Sequence, residues 1–233
     1  MNYIKELLFP LRCPVCDGIV GFRKRGVCEK CEGKLVPVGE PWCCRCGKPL
    51  RQEEREFCYD CTKKKHYYRR GRAVFTYDSA AQSIYRFKYG RRQEYSDFYG
   101  KAAADLLADE KELKKAEALV PVPLHASRMR QRGYNQAALF ARALGKEWGI
   151  PVREDLVVRG RDTQPLKQLN PAQRQNNLKR AFKIIQNDVK LNTIIIVDDI
   201  YTTGSTIDAI SMEFSRHGVH TVYFITLAVG KGI

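Results

Sequence analysis

From about residue 70 onward the chain alternates short apolar runs with amphipathic stretches, the pattern of strands and helices in turn. Arg72–Tyr77 predicts a short strand, and Asp78-Ser79 predicts the cap of a helix reaching about Lys88. A second helix is expected from about Glu94 to Leu107, with Phe98, Ala102 and Leu106 on helical spacing. Ala118–Leu124 is apolar with two prolines and predicts a strand that runs into a loop. Asn135–Trp148 reads as a helix with Ala138, Ala141, Ala143 and Leu144 mostly on one side, and Leu156–Val158 as a short strand. Residues 159–180 are polar and rich in Arg, Asn and Gln, which predicts a long mobile segment. A buried strand over Asn192–Val197, a helix over Ile207–His217 and a strand over Thr221–Val229 close the chain. Strands alternating with helices predict a parallel α/β sheet.

The first third follows another rule. All nine cysteines lie between residues 13 and 61, and eight form Cys-x-x-Cys pairs: Cys13/Cys16, Cys28/Cys31, Cys43/Cys46 and Cys58/Cys61. The pairs recur every 15 residues. Two chelating pairs are what a tetrahedral four-cysteine zinc site requires, so structural zinc is expected ahead of disulfides or an iron–sulfur cluster. Equal spacing permits sequential or crossed ligation. Glycine closely follows the first and third pairs (Cys16-Asp17-Gly18 and Cys46-Gly47), whereas the second and fourth enclose acidic residues, so the deeper repeat is 30 residues long. That favours two sequential ribbons with one zinc each. Cys44 is expected to be a spare thiol. The expected domains are a double zinc ribbon over 1–66 and an α/β domain over 67–233, joined by the basic stretch Lys63 to Arg70.

Charge sharpens the picture. The chain carries a formal +15, and residues 1–72 hold 17 Lys/Arg against 9 Asp/Glu. Eight thiolates and two zinc ions lower the total by four, to about +11, which still suits a polyanion. Lys63, Lys64, Lys65, Arg69 and Arg70, with Phe57, Tyr59, Tyr67 and Tyr68 close by, form a candidate single-stranded nucleic-acid surface. No run of 18 apolar residues exists and no secretory signal is visible, so a cytoplasmic protein is expected, at most peripheral at the inner face of a membrane.

The most informative stretch is Thr193 to Thr206, in which four apolar residues lead to Asp198-Asp199 and then to a small, hydroxylated loop. Backbone N–H groups at the following helix start, Gly204, and the hydroxyls of Thr202, Thr203, Ser205 and Thr206 are suited to cradle a phosphate. The two carboxylates suit vicinal hydroxyls of an attached ribose.

This stretch closely resembles the phosphoribosyl pyrophosphate (PRPP) motif of type I phosphoribosyltransferases, whose fold is a Rossmann-like parallel sheet. Val120-Pro-Val-Pro-Leu-His125 with Arg128, Arg132-Gly-Tyr-Asn-Gln-Ala137, and Thr163-Gln-Pro-Leu-Lys-Gln-Leu169 with Arg174, Asn177 and Phe182 resemble the ComF family. Those are competence-associated, phosphoribosyltransferase-like proteins, GntX among them, with a leading cysteine-rich module. The resemblance implies pyrophosphate binding at Leu124–Arg128, with Arg128 the cation. It also implies a closing loop over 159–180 that brings Lys167 or Arg174 to the diphosphate, and Mg²⁺ accompanying PRPP. It implies DNA uptake as the role, with single-stranded DNA and other uptake proteins, such as a ComF-type helicase, as partners. Two other readings stay open: a working nucleobase or amido-phosphoribosyltransferase, and a PRPP-sensing nucleic-acid-binding regulator. No general base and no acceptor site are evident.

Overall fold

The computed structural model describes residues 10–20, 26–51, 56–160, 181–185 and 190–230. Its centre is a four-stranded parallel sheet in the order β1-β6-β5-β2, built from β1 (Arg70–Thr76), β2 (Ala118–Pro121), β5 (Thr193–Tyr201) and β6 (Thr221–Val229). A separate antiparallel pair joins β3 (Val157–Arg159) to β4 (Phe182–Ile184). Six α-helices are described: α1 (Tyr59–Lys63), α2 (Tyr77–Tyr89), α3 (Tyr95–Leu106), α4 (Ala126–Arg132), α5 (Gln136–Trp148) and α6 (Ser205–Arg216). The parallel α/β sheet is as expected.

Side chains alternate across each strand, so the sheet divides the core in two. Leu119, Ile195, Val197, Ile225 and Leu227 face one layer, with α2, α3 and α5 packed on it. Val120, Ile194, Ile196 and Phe224 face the other, where Ile207, Ile210 and Phe214 of α6 cover them. Burial on both faces is why these strands read as continuous apolar runs. β2 and β5 are neighbours, yet the chain leaves β2 for one face and β5 for the other. Their C-terminal ends therefore flank a topological switch point, where open α/β sheets bind ligands.

Several boundaries differ from expectation. β5 continues past Val197 to Tyr201, because β6 goes on pairing with it at Asp198↔Thr226 and Tyr201↔Val229. Helix α2 begins at Tyr77 with Thr76 as N-cap, and Ser79 instead donates to the Thr76 carbonyl at 3.0 Å and accepts from the Val36 amide at 3.0 Å. The buried stripe of α3 is Tyr95, Tyr99 and Ala103, while Phe98, Ala102 and Leu106 are only partly buried. Tyrosines serve there because their hydroxyls find partners, Tyr95 reaching the Cys13 carbonyl at 3.1 Å. Gly100 lets α5 approach closely, since a Cβ at that position would lie 2.5 Å from that of Ala143.

The cysteine-rich segment is welded to the sheet. Pro37 pairs with Phe75 in an antiparallel bridge, with Val38 N to Val74 O at 3.0 Å and Thr76 N to Val36 O at 2.9 Å. The basic stretch expected as a linker is partly buried: His66 is 8% and Tyr68 1% exposed.

Candidate functional site

Each ribbon opens on a tight knuckle. In the first, Asp17 N donates to Cys13 O and Cys13 N to Gly18 O, both at 2.8 Å; in the second, Gly47 N donates to Cys43 O at 2.8 Å and Cys43 N to Lys48 O at 2.7 Å. The left-handed position falls on Gly47 (φ 70°) as expected, but on Asp17 (φ 63°) rather than Gly18 in the first ribbon. Aspartate tolerates that conformation better than most residues. Its carboxylate is also held by Arg92 at 2.6 and 2.7 Å and by the Tyr95 hydroxyl at 2.7 Å. The Arg92 guanidinium, first of these causes, holds the Asp17 carboxyl below the usual carboxylate range.

The sulfurs gather sequentially: those of Cys13, Cys16, Cys28 and Cys31 lie within 4.8 Å of one another, as do those of Cys43, Cys46, Cys58 and Cys61. A tetrahedral zinc with Zn–S bonds of about 2.3 Å needs sulfurs about 3.8 Å apart. Cys16 and Cys28 stand 3.7 Å apart, Cys46 and Cys58 3.6 Å. Backbone amides of Cys28 and Cys58 donate to Cys13 Sγ at 3.4 Å and Cys43 Sγ at 3.3 Å, the charge-stabilising contacts a thiolate ligand wants. Both donor sets fit zinc. Cys44 is exposed and belongs to neither set.

The second centre lies at the switch point. Asp198 is partly exposed and Asp199 only 8% exposed. Asp199 Oδ2 accepts from Gln136 Nε2 at 2.6 Å and pairs with Lys88 Nζ at 2.9 Å, while its amide donates to Asp198 Oδ1 at 2.8 Å. Gly204 is left-handed (φ 74°) and caps α6 with no side-chain acceptor, so the first amides of the helix are not capped by a side chain. Thr202 and Thr203 are exposed, Ser205 and Thr206 half-buried, and the Thr203 and Ser205 hydroxyls are 2.9 Å apart. Arg128 is exposed on α4, beyond the C-terminal end of the neighbouring β2. Lys167 and Arg174 lie outside the described residues.

A buried relay joins the two centres. His66 Nε2 lies 3.6 Å from Cys61 Sγ, and its Nδ1 is 2.9 Å from Asp208 Oδ2 in the first turn of α6. Lys64 Nζ and the Tyr67 amide also donate to Asp208, at 2.6 and 3.1 Å. Burial acts to raise the Asp208 carboxyl, but the bonds from His66 and Lys64 outweigh it and hold it below the usual range. Of the basic residues expected to follow phosphates, Lys64 is thus engaged, Arg70 pairs with Glu110, and Arg69 comes within 3.9 Å of Glu112. Lys63 and Lys65 remain exposed, Lys63 lying 5.6 Å from the centre of the Tyr59 ring.

Comparison with known proteins decides the family. Residues 4–62 match the family described as Double zinc ribbon domain. Competence protein F of Haemophilus influenzae is 30% identical over 226 residues, covering 94% of this chain and 97% of that protein. The chain belongs to the ComF family. The DNA utilization protein YhgH of Salmonella typhimurium (29% identical, 93% of this chain and 96% of that one) and the competence protein ComFC of Bacillus subtilis (28%, 78% and 74%) are also similar. A hypoxanthine phosphoribosyltransferase structure from Staphylococcus aureus aligns with 57% of this chain and 62% of that one at 18% identity, with a TM-score of only 0.32. With the ribbon match, the two four-cysteine groups of this ComF-family chain are zinc sites. Among the described residues, no helix is long and apolar enough to cross a membrane.

The structure adds residues that carry no role in the sequence reading. Lys88 and Gln136 hold Asp199, and Arg132 holds Gln136 through Nη1 at 2.8 Å. Arg159, at the end of β3, is shifted down by burial first, then by Arg128, while Asp198 works the other way; its Nε is buried without a partner. Only Arg132 and Gln136 stand in a recognisable motif; Lys88 and Arg159 look like ordinary surface cations.

Burial, and then the charge of Asp199, push the Asp198 carboxyl from 3.8 up to about 7. A folded-state value above the unfolded one favours folding fully below pH 4, and that contribution is lost as pH rises through 7. Water reaches part of this residue, which moderates the penalty. Asp198→Asn should therefore stabilise the ligand-free protein by about 1–3 kcal/mol at pH 8 and leave it nearly unchanged at pH 4. Thermal melts at the two pH values check this; equal shifts at both would refute it.

Proposed function

We propose that this ComF-family protein binds PRPP, with Mg²⁺ on its diphosphate, in the crevice between β2 and β5, and that it serves the handling of single-stranded DNA during uptake. The observation that carries the first half is the pairing of an acidic couple with a helix start lacking a side-chain cap, across a left-handed glycine, at the switch point. The 5-phosphate meets the amides and hydroxyls of Thr202–Thr206, and the ribose hydroxyls meet the acidic pair. Leu124–His125 form the loop suited to the pyrophosphate, which turns helical at Ala126 and so carries Arg128 in the first turn of α4 rather than on the loop. Lys167 and Arg174 are expected to reach the diphosphate from the segment that follows β3. The second half is supported by relatives named for competence and DNA utilization.

If the bond from ribose C1 to pyrophosphate is broken here, the protein's part is positioning, charge stabilisation and exclusion of water. Calorimetry tests the reading. PRPP with Mg²⁺ should bind more tightly than ribose 5-phosphate, which lacks the pyrophosphate grip. Asp199→Ala should weaken PRPP by about 1–3 kcal/mol through lost charged hydrogen bonds, and Thr203→Ala should weaken it through the phosphate loop. Absence of PRPP binding by the intact, zinc-loaded protein would defeat the proposal.

A further inference from the structure

Helix α2 presents an aromatic row that the sheet does not use. Tyr77, Tyr85 and Tyr89 are 40%, 59% and 47% exposed, and their spacing places them along one side of the helix. The C-terminal two are organised: the ring centroids of Tyr85 and Tyr89 are 5.1 Å apart. Arg132 lies over the Tyr89 ring at 4.7 Å and donates to its hydroxyl at 2.9 Å. Arg132 is itself 8% exposed, so a buried cation fixes a tyrosine whose own ring stays half open. The same arginine reaches Asp199 through Gln136, and Lys88, next to Tyr89, contacts Asp199 directly. The aromatic row thus ends beside the acidic pair, held by the same side chains.

Charge selects what would stack there. Arg91, just past the helix, and Arg128 and Arg130 on α4 are exposed and make no ion pair among the described residues. The only acid in the first turn of α2 is Asp78, and α4 contains none. Free nucleobases are neutral and gain nothing from such cations, whereas a strand carries a phosphate beside every base. We infer that the Tyr77–Tyr85–Tyr89 row is a base-stacking platform for single-stranded DNA, which it leads toward the acidic pair. This rests on the DNA-handling reading above but not on PRPP binding. It also moves the main strand contact away from the zinc-ribbon lysines.

The full-length, zinc-loaded protein and a labelled 30-mer of deoxythymidine provide the test, by anisotropy without PRPP. Tyr85→Ala should weaken binding at least about fivefold, and Tyr85→Phe, which keeps the stacking face, should bind within about twofold of the wild type. Tyr85→Ala should leave the salt slope unchanged, whereas Arg130→Gln should flatten it by about 0.7. A strand carrying 5-iodouracil should photocross-link to Tyr85 or Tyr89. Undiminished affinity in Tyr85→Ala, cross-links confined to Tyr59 or Tyr67, or no DNA binding at all would each overturn the platform. So would displacement of the strand by an equimolar free nucleobase, which would make the face a monomer site. PRPP calorimetry on Tyr85→Ala keeps the two ideas apart: wild-type PRPP affinity with weakened DNA is expected, and matching losses of both would reduce Tyr85 to a structural role.

Discussion

Replacing Cys58 with serine should cost the protein one zinc and unfold the sheet around β1, β6 and the start of α6, whereas Cys28→Ser should cost one zinc and unfold the first ribbon alone. The difference follows from where each ribbon packs. Cys43 and Cys46 are fully buried and share the core with Tyr68, Tyr201, Ile207 and Phe224. Arg45 O takes the amide of Gly71 on β1 at 2.9 Å, and the Cys61–His66–Asp208 relay anchors the start of α6. The first ribbon has a small cluster of its own, Cys13, Val20 and Cys31, and meets the domain through contacts that are only partly buried: Asp17 with Arg92 and the Tyr95 hydroxyl, Val15 O with Arg86 at 2.7 Å, and Val15 and Val27 against the core. A structural zinc contributes about 10–16 kcal/mol of folding free energy. Whole domains are stable by only about 5–15 kcal/mol, so losing the second zinc is enough to unfold what it holds. Cys58 is the informative position because it is only half-buried, and an oxygen in place of its sulfur disturbs little besides the metal. Metal analysis should give one zinc for either variant and two for Cys44→Ser. Circular-dichroism melts should show a lost or much lowered transition for Cys58→Ser and a nearly unchanged one for Cys28→Ser. A Cys58→Ser protein that still melts like the wild type would refute the coupling.

What the sequence makes legible is local. The acidic couple and small-residue loop proposed to hold PRPP stand next to one another in the chain, and cysteine pairs announce themselves by spacing, so the zinc sites are visible before any fold. Contacts between distant segments are not. Tyr68 sits in a run of basic and aromatic residues that resembles a linker, yet its hydroxyl lies 2.6 Å from that of Tyr201 and its ring meets Phe224 edge-on. Asp208 looks like an ordinary acid in the first turn of a helix, and only the fold brings His66 and Lys64 to it from 142 and 144 residues away. The stripe of α3 departs from the apolar spacing because its core positions are tyrosines, and Tyr95 and Tyr99 are among the largest fully buried side chains. Strand β4 is three residues long and forms only against β3, a pairing that no short window of sequence displays.

Gly204 abuts Tyr201, which shares a core cluster with Cys43 and Cys46, and on the proposed PRPP reading Gly204→Ala should lower PRPP affinity at least about tenfold, or 1.4 kcal/mol. Its φ of 74° is one an L side chain adopts at a cost of about 1–2 kcal/mol. An added Cβ would also stand 2.5 Å from Tyr201 Oη and 2.9 Å from Cζ. That ring cannot easily give way. It stacks on Phe224 with centroids 4.8 Å apart at 3°, and its hydroxyl is held by Tyr68. Overpacking a fixed neighbour costs about 1–3 kcal/mol more, so the loop is expected to move, carrying the amides of α6 off the phosphate position. Tyr201→Phe removes the nearest atom, and the double variant should recover part of the lost affinity and melting temperature. Recovery should be incomplete, because φ stays positive and the buried Tyr68 hydroxyl then lacks its partner, at a cost of about 1–3 kcal/mol. Calorimetry and thermal melts on the two single variants and the double give the cycle. Wild-type PRPP affinity in Gly204→Ala would mean that this loop does not hold the phosphate, whatever else the crevice binds.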